Sequence, residues 1–343
     1  MRQLPSPRGS VSELLLGALA GRPGELPPVN PERVADPLAD EDLNLSLYLC
    51  YELHYRGLPG VDDRWEWNPS LLRLRSLLEE QFEEALKDAV PLRKEAVASD
   101  QIDVALREIA AQEGASLSSY VRGRATLEQV KEFLVHRSAY QLKEADPHCW
   151  AIPRLHGAPK AALVEVEADE YGGGRPDWIH AELFGRAMRA LGLDPTYGAY
   201  LELIPAVTLA TVNQMSLFGL HRRWRGAIVG HLALFEMTSS IPNRRYADGL
   251  RRLGFTGDAT LFFDEHVEAD AVHENLAAVD VAGGLVSQTP ALSSSVLWGA
   301  RTLNFLADRW ASHLLDRWAH GKGSLLGDLD PDPGQVAEPA VIT

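Results

Sequence analysis

The sequence has little cysteine, no long apolar run and a shortage of basic residues. Its 343 residues include only two cysteines, Cys50 and Cys149. Two thiols exclude a disulfide framework and any zinc or iron–sulfur site that needs four thiolates from one chain. No apolar stretch approaches the ~20 residues of a membrane span, and the opening residues MRQLPSPRGS lack the apolar core of a signal peptide. We therefore expect a cytoplasmic protein without a membrane partner.

Acidic residues outnumber basic ones. The 48 Asp and Glu and 33 Lys and Arg give a formal net charge of −15 at pH 7. Because an acidic surface repels phosphate backbones, we expect no nucleic-acid partner. Hydrophobic residues make up 45% of the chain, enough for a buried core that needs neither a disulfide nor a metal in order to fold.

Helical periodicity dominates the sequence and predicts an all-α fold. Apolar residues recur three and four positions apart, and no alternating β pattern of useful length is present. Proline at the expected helix starts and glycine at the expected ends agree with this interpretation. The pattern predicts helices over residues 11–19, 42–56, 69–86, 92–112, 126–146, 157–171, 178–191, 196–221, 227–239, 242–253, 258–281 and 293–319.

Composition divides the chain into three predicted parts. Residues 1–40 are rich in proline, glycine and charge, so we expect loose order there apart from one short helix. A serine-rich joint near residue 118 predicts a boundary between an N-terminal helical region, 1–118, and a helical bundle, 119–320. The Gly-Lys-Gly and Asp-Pro-Asp-Pro-Gly sequences predict a flexible tail at 321–343.

One predicted helix carries two histidines and an aspartate on a single stripe. His266, Asp270 and His273 lie at about 0°, 40° and −20° around an α-helix. Two imidazoles and one carboxylate that point the same way form half of a site for a first-row transition metal. The alternative is a solvated acidic helix face that happens to carry two histidines.

A glycine-rich break brings a second pair of candidate ligands together. Glu170 ends one predicted helix and His180 lies just inside the next, with Gly-Gly-Gly and a proline between them. The break allows both side chains to converge, whereas one continuous helix would hold them apart. Each has an ordinary alternative: a solvated helix end for Glu170, and a core or capping histidine for His180.

Two more carboxylates complete the candidate set. Glu236 lies in an otherwise apolar helix, and a buried carboxylate needs a partner or a metal; the alternative is that it faces outward beside His231. Glu144 lies beside Lys143 near a predicted helix end, where a surface salt bridge would also explain it. Carboxylates and imidazoles from several helices of one bundle match the design of di-iron carboxylate proteins, and such donors suit iron or manganese.

The chain resembles the haem-oxygenase-like di-iron oxidases and oxygenases, a family of iron-containing redox enzymes. The resemblance covers about residues 125–285 and rests on the order and spacing of the candidate ligands. It implies a haem-oxygenase-like helical bundle with an N-terminal helical extension, in which two irons take the place of haem. Glu144 matches a position at which some N-oxygenating members carry a further acidic residue near the metals. The matching metal ligands are Glu170, His180, Glu236, His266, Asp270 and His273.

The resemblance also implies a function. Iron in its Fe²⁺ and Fe³⁺ states, with O2 as co-substrate, would oxidise a small amine, an amino-acid-derived molecule or a fatty-acid-like molecule. The reaction would be an N-oxygenation or an oxidative C–C cleavage. Since no flavin or dinucleotide fingerprint is present, an external electron donor is expected, and the N-terminal region is a candidate surface for a homodimer. The alternatives are a cofactor-free or thiaminase-like enzyme on the same fold and a non-catalytic all-α binding protein.

Two other groups of polar residues have weaker functional interpretations. Glu52 and His54 are two positions apart, about 200° around a helix, so they cannot share a face, and we interpret them as structural. Arg222, Arg244 and Arg245 could hold a substrate carboxylate or could form a solvated basic cluster.

Overall fold

The structure, a computed structural model, describes residues 4–28, 31–94, 96–112 and 114–329, without the side chains of residues 270–272. No strand occurs in this part of the chain, so the all-α prediction is confirmed. None of its helices is long and apolar enough to cross a membrane. The α-helices are α1 (Ser10–Leu19), α2 (Glu41–Glu52), α3 (Pro69–Ala89), α4 (Ile102–Ala110), α5 (Leu117–Gly123), α6 (Leu127–Gln141), α7 (Asp146–Cys149), α8 (Gly157–Glu170), α9 (His180–Ala190), α10 (Ala206–Leu220), α11 (Arg225–Arg252), α12 (Asp258–Asn275), α13 (Gly284–Gln288) and α14 (Ser293–Ala319).

The long helices α11 and α14 form the centre of the bundle. They cross closely because each has a glycine at the contact: a Cβ on Gly230 would lie 1.8 Å from the Val296 carbonyl oxygen, and one on Gly299 would lie 2.0 Å from the Ala227 carbonyl oxygen. Helix α12 packs along the other side of α11 and also contacts α9. This arrangement brings the ends and faces of α8, α9, α11 and α12 into one interior.

Helix α11 is a single helix of 28 residues, so the predicted division at Pro242 is wrong. Proline is favoured at the first turn of a helix, which is why a new helix was expected at residue 242. In the interior, Pro242 cannot donate to the Thr238 carbonyl. Packing against α12 and α14 keeps the helix continuous through this position.

Two other predicted helices are shorter than expected. Residues 196–205 form turns, and α10 begins only after Pro205. The turn is held by its own polar groups, since the Asp194 amide donates to the Tyr200 hydroxyl at 2.8 Å. In the predicted helix 92–112, only residues 102–110 are α-helical.

The N-terminal segment contains the one short helix that was predicted there, and this helix packs against the rest of the chain. Leu15 and Leu19 of α1 are fully buried, and Leu38 is nearly so. Asp42 accepts hydrogen bonds from the backbone amides of Val11 and Ser12 at 2.9 and 2.7 Å.

The predicted boundary at residue 118 falls inside α5. This helix packs against α11, where the Gly249 position lies close to the Val121 carbonyl. In the predicted tail, residues 321–329 are described: Ser324 is buried, and its hydroxyl donates to Glu132 at 2.5 Å. Residues 330–343 lie outside the described residues. The division into 1–118, 119–320 and 321–343 stays a prediction.

Candidate metal centre

The break after α8 brings Glu170 and His180 together, as the sequence predicts. Gly172, Gly173 and Gly174 all have positive φ values, which glycine adopts without strain. A Cβ on Gly172 would also lie 2.8 Å from the Ile179 backbone nitrogen. The chain can therefore fold back sharply, and it places Glu170 Oε2 2.6 Å from His180 Nδ1.

One group of donors combines two carboxylates with two imidazoles. Its four buried residues are Glu144, Glu170, His180 and His266, each with a ligand atom within 4.8 Å of those of the others. Glu144 Oε1 lies 3.5 Å from His266 Nε2, and the rings of His180 and His266 have centroids 4.3 Å apart. These residues come from α8, α9, α12 and the turn after α6, so tertiary packing assembles the group.

A second group shares Glu170 with the first. Glu170, Glu236 and His273 are buried and also place ligand atoms within 4.8 Å of one another. His273 Nδ1 lies 3.5 Å from Glu236 Oε2 and 3.7 Å from Glu170 Oε1. The two oxygens of Glu170 thus face different groups, Oε2 the first and Oε1 the second.

Several of these donor atoms have no hydrogen-bond partner. Glu144 Oε2, Glu170 Oε2, His180 Nδ1 and His273 Nδ1 are buried without one. Although Glu170 Oε2 and His180 Nδ1 lie 2.6 Å apart, they are not aligned as a hydrogen bond. Buried polar atoms are normally paired, and unpaired lone pairs that converge from carboxylates and imidazoles fit a cation such as iron.

Other protein groups fix the orientation of both α12 histidines. His266 Nδ1 lies 2.8 Å from the Phe262 carbonyl oxygen and donates to it, which places Nε2 on the side of Glu144. His273 Nε2 lies 3.2 Å from Asp169 Oδ2, so Nδ1 faces Glu170 and Glu236. Metal-binding histidines typically use their second nitrogen in this way. The Gln141 amide likewise donates to Glu144 Oε1 at 2.8 Å.

Burial and crowding of charge shift the pKa values at this centre. Burial, with Glu144 and Glu236 nearby, raises the pKa of Glu170 well above its ordinary value. Burial lowers the pKa of His180 to about 4, and His266 adds to that effect. Burial alone would lower the pKa of His273, but the Glu236 and Asp169 carboxylates raise it to about 9. In the absence of a metal ion, bound protons therefore offset part of the negative charge of these carboxylates.

Glu144 and Glu236 both lie in the interior, so the two surface alternatives are wrong. Glu144 is only 4% exposed. Its neighbour Lys143 points elsewhere and forms a buried ion pair with Glu52 at 2.9 Å. Glu236 is buried in the second group, whereas His231 pairs with His148 at 3.1 Å.

The side chain of Asp270 lies outside the described residues, so its predicted role as a ligand stays a prediction. The backbone at this position belongs to α12, which carries the other two members of the predicted triplet. His266 and His273 fall into different donor groups. The stripe predicted for one half-site is therefore divided between two groups, with Asp270 between them along the helix.

Three residues beside the centre were not predicted as site residues. Tyr140, His148 and Glu167 line the small space enclosed by the carboxylates. Glu167 lies three positions before Glu170, so helical spacing alone could have placed both on one face. His148 had no comparable signal, because it reaches the site through a turn in which Ala145 has a φ of 74°.

The polar residues interpreted as structural have separate partners. Glu52 accepts from Tyr197 as well as from Lys143, and His54 contacts Glu66 at 3.1 Å. Of the three arginines considered above as ligands for a substrate carboxylate, Arg244 is exposed, as expected for a solvated basic cluster.

Comparison with known proteins gives one match. The family model described as iron-containing redox enzyme matches residues 131–307, a little over half of the chain. The matched segment contains Glu144 and all six predicted metal ligands. No curated protein matches the chain.

Proposed function

The chain belongs to the iron-containing redox enzymes, and we propose that it is a non-haem di-iron oxidase or oxygenase. Its fold is the haem-oxygenase-like helical bundle that the resemblance implied. The proposal adds two irons, dioxygen as co-substrate and a small organic substrate.

The position of Glu170 is the observation that carries the proposal. One carboxylate belongs to two groups of buried donors and directs a different oxygen at each. That arrangement fits a carboxylate that bridges two cations. Glu144, His180 and His266 would hold one iron, and Glu236 and His273 the other. Carboxylate and imidazole donors on facing helices are the usual means of building such centres in helical bundles.

The space at the centre argues against haem. The region bounded by Tyr140, Glu144, Glu170, Glu236 and their neighbours encloses only about 10 Å³, room for roughly one water molecule and far too little for a porphyrin. The donor groups also include more carboxylates than the iron of a haem requires. Iron that is bound directly by protein side chains does use carboxylates as ligands.

The protein residues position the donors and hold protons. When bound, the two irons would supply the reaction with dioxygen. Phe262 and Asp169 keep His266 and His273 in one orientation each, and Gln141 does the same for Glu144. Burial raises the pKa of Glu167 well above its ordinary value. Glu167 therefore keeps its proton to a higher pH than an ordinary carboxyl group does, and its Oε1 is buried without a hydrogen-bond partner.

Electrons are proposed to come from an external donor. We further propose that the substrate is a small amine, an amino-acid-derived molecule or a fatty-acid-like molecule, as the resemblance implies.

Oxygen uptake tests the proposed function. The protein is loaded with ferrous iron without oxygen, and oxygen consumption is recorded after mixing with aerated buffer. We expect rapid uptake by the iron form, none by a zinc form, and none by Glu170→Ala. Glu165→Ala, an exposed change on the same helix, is the matched control and should behave like the wild type. Oxygen uptake no faster than that of free ferrous iron would contradict the proposal.

A further inference from the structure

A second cavity lies beside the candidate metal centre. It encloses about 200 Å³ between α6, α10, α11 and α14. Tyr140 and Phe235 line both this cavity and the small space among the carboxylates. Their rings meet edge to face with centroids 5.6 Å apart. A molecule in the larger cavity would therefore be separated from the metal donors by these two rings.

An outer cavity adjoins this one. The outer cavity, of about 590 Å³, shares Thr238, Pro242, Tyr246 and Trp310 with the inner one. It also borders Ser116, an exposed residue. The inner cavity is thus separated from the exposed outer one only by the side chains that line both.

Arg137 is the one charged side chain in the described wall of the inner cavity. Two histidines also line it, but burial lowers the pKa of His136 to about 3 and that of His231 well below its ordinary value, so both are neutral. Much of the remaining wall is apolar or aromatic. Its members include Val212, Met215, Phe235, Leu303, Ala307 and Trp310.

The Arg137 guanidinium has aromatic neighbours and no directly paired anion among the described residues, although its positive charge acts at longer range on the Glu144 carboxylate. Its central carbon lies 5.9 Å from the Phe235 ring centroid and 5.8 Å from that of Trp310. It forms no salt bridge or hydrogen bond with any residue that the structure describes. Asn243, which is buried in the same wall, also makes no side-chain hydrogen bond within the described chain. A partly buried arginine without an acidic partner is a natural binding group for a planar anion.

We propose that the inner cavity is the substrate pocket and that Arg137 binds a carboxylate of the substrate, with Asn243 as a second polar contact. The substrate is then a small carboxylic acid with an apolar or aromatic body. A carboxylate fits better than a phosphate because the pocket offers one cation, which balances one negative charge. This inference rests on the proposed function, since it names the substrate class of the same site.

The position of the polar contacts suits a negatively charged substrate. Asn243 and Glu236 are seven residues apart on the continuous helix α11, about 10 Å at 1.5 Å per residue. A carboxylate bound at Arg137 would meet its counter-charge close to the Phe235 ring, whose centroid lies 5.9 Å from the guanidinium carbon. The apolar body of the molecule would contact the apolar part of the wall, which includes Val212, Met215 and Leu303.

Binding of matched acids and amides tests the proposal. The probes are 3-phenylpropionate and hexanoate, each compared with its primary amide, and dissociation constants are measured by isothermal titration with the full-length protein. Because a charge-assisted hydrogen bond is stronger than a neutral one, we expect the acids to bind about tenfold more tightly or better. Arg137→Gln should remove that preference and Arg137→Lys should keep part of it. Arg122→Gln, an exposed change outside the cavity, should leave it intact.

Two results would overturn the proposal. One is failure of the wild-type protein to bind either acid at millimolar concentration, or equal affinity for acid and amide. The other is an unchanged preference in an Arg137→Gln protein that melts at the wild-type temperature. The wild-type comparison needs no variant, so it decides the question even if Arg137→Gln does not fold.

Iron content, measured on the same samples, separates this inference from the proposed function. Acid preference in a protein that does not bind two irons would retain the pocket and contradict the di-iron proposal. Normal iron content and oxygen uptake without acid preference would retain the di-iron proposal and contradict the substrate pocket.

Discussion

Glu170 contributes to both donor groups. We therefore expect its replacement to reduce iron binding more than the replacement of a residue that belongs to one group. Glu170→Ala removes a donor from each group, so we expect the variant to retain almost no iron. Glu236→Ala removes a donor from one group only, and it should retain about one iron. The measurement is the metal content after anaerobic loading and desalting, with Glu165→Ala as the control at the wild-type value. Equal loss in Glu170→Ala and Glu236→Ala would show that Glu170 is not shared.

Protonation of the centre predicts a pH dependence of stability. Glu167 and Glu170 have raised pKa values, and that of His273 is raised to about 9. The buried histidines with lowered pKa values are neutral in both states above about pH 7.5, so from there the folded, metal-free protein binds more protons than the unfolded chain and its stability should fall as the pH rises to 9. A bound divalent metal replaces these protons, so the gain in Tm from metal should grow over the same range. Thermal melts with and without metal measure this, and a gain that shrinks with rising pH would contradict it.

Individual residues differ in how far the sequence could predict them. His266 and His273 follow from helical spacing, and Glu170 with His180 follows from the glycine break, because these are local patterns. The sharing of Glu170 does not follow, since it depends on how four helices pack. Arg137 was missed for the same reason: it lies in an ordinary helix, and only the packing of α10, α11 and α14 around it makes it a cavity residue.

At the scale of the element, α12 is the helix on which metal binding should act most. It carries many acidic residues and no Lys or Arg, and like charges four apart destabilise a helix. The structure shows partial compensation, because arginines of neighbouring helices pair with Asp258, Asp264 and Glu274. In the proposed di-iron centre, a bound metal would give the same relief to the part of α12 that faces the donor groups.

Hydrogen exchange tests this expectation for α12. Amide exchange over residues 262–274 should slow when ferrous iron is added, and it should slow more than in α10, which lies outside both donor groups. Metal binding would then order this segment together with the site. Equal protection with and without iron would show that the segment is already ordered and that repulsion between its acids is unimportant.

Helix existence was easier to predict than helix extent. The helix 293–319 matches α14 at both ends because its pattern is long and regular. The division at Pro242 was wrong because proline favours a helix start locally, while packing on both sides of α11 outweighs that preference. The start of α10 was placed too early because turn hydrogen bonds in 194–205 have no periodic signature.

At the scale of the molecule, a buried ion pair joins the N-terminal region to the bundle. Lys143, in the turn after α6, and Glu52, at the end of α2, are both almost fully buried and lie 2.9 Å apart. Lys143→Met would leave the buried Glu52 carboxylate with the Tyr197 hydroxyl but without its cation, and loss of one partner of a buried ion pair costs roughly 3–5 kcal/mol of unfolding free energy. Lys143→Met combined with Glu52→Gln should recover part of that loss.

Urea unfolding measures these effects. Lys87→Met, which removes a partly exposed pair with Glu83, is the control and should cost about 1 kcal/mol or less. If Lys143→Met costs no more than Lys87→Met, the buried pair does not hold the two regions together.

The number of irons bound per chain tests the central claim most directly. Wild-type protein is titrated with ferrous iron without oxygen, and bound metal is measured against protein concentration. Two donor groups that share Glu170 predict saturation close to two irons per chain. Saturation near one iron per chain, or no binding above that of the Glu170→Ala variant, would contradict the di-iron account.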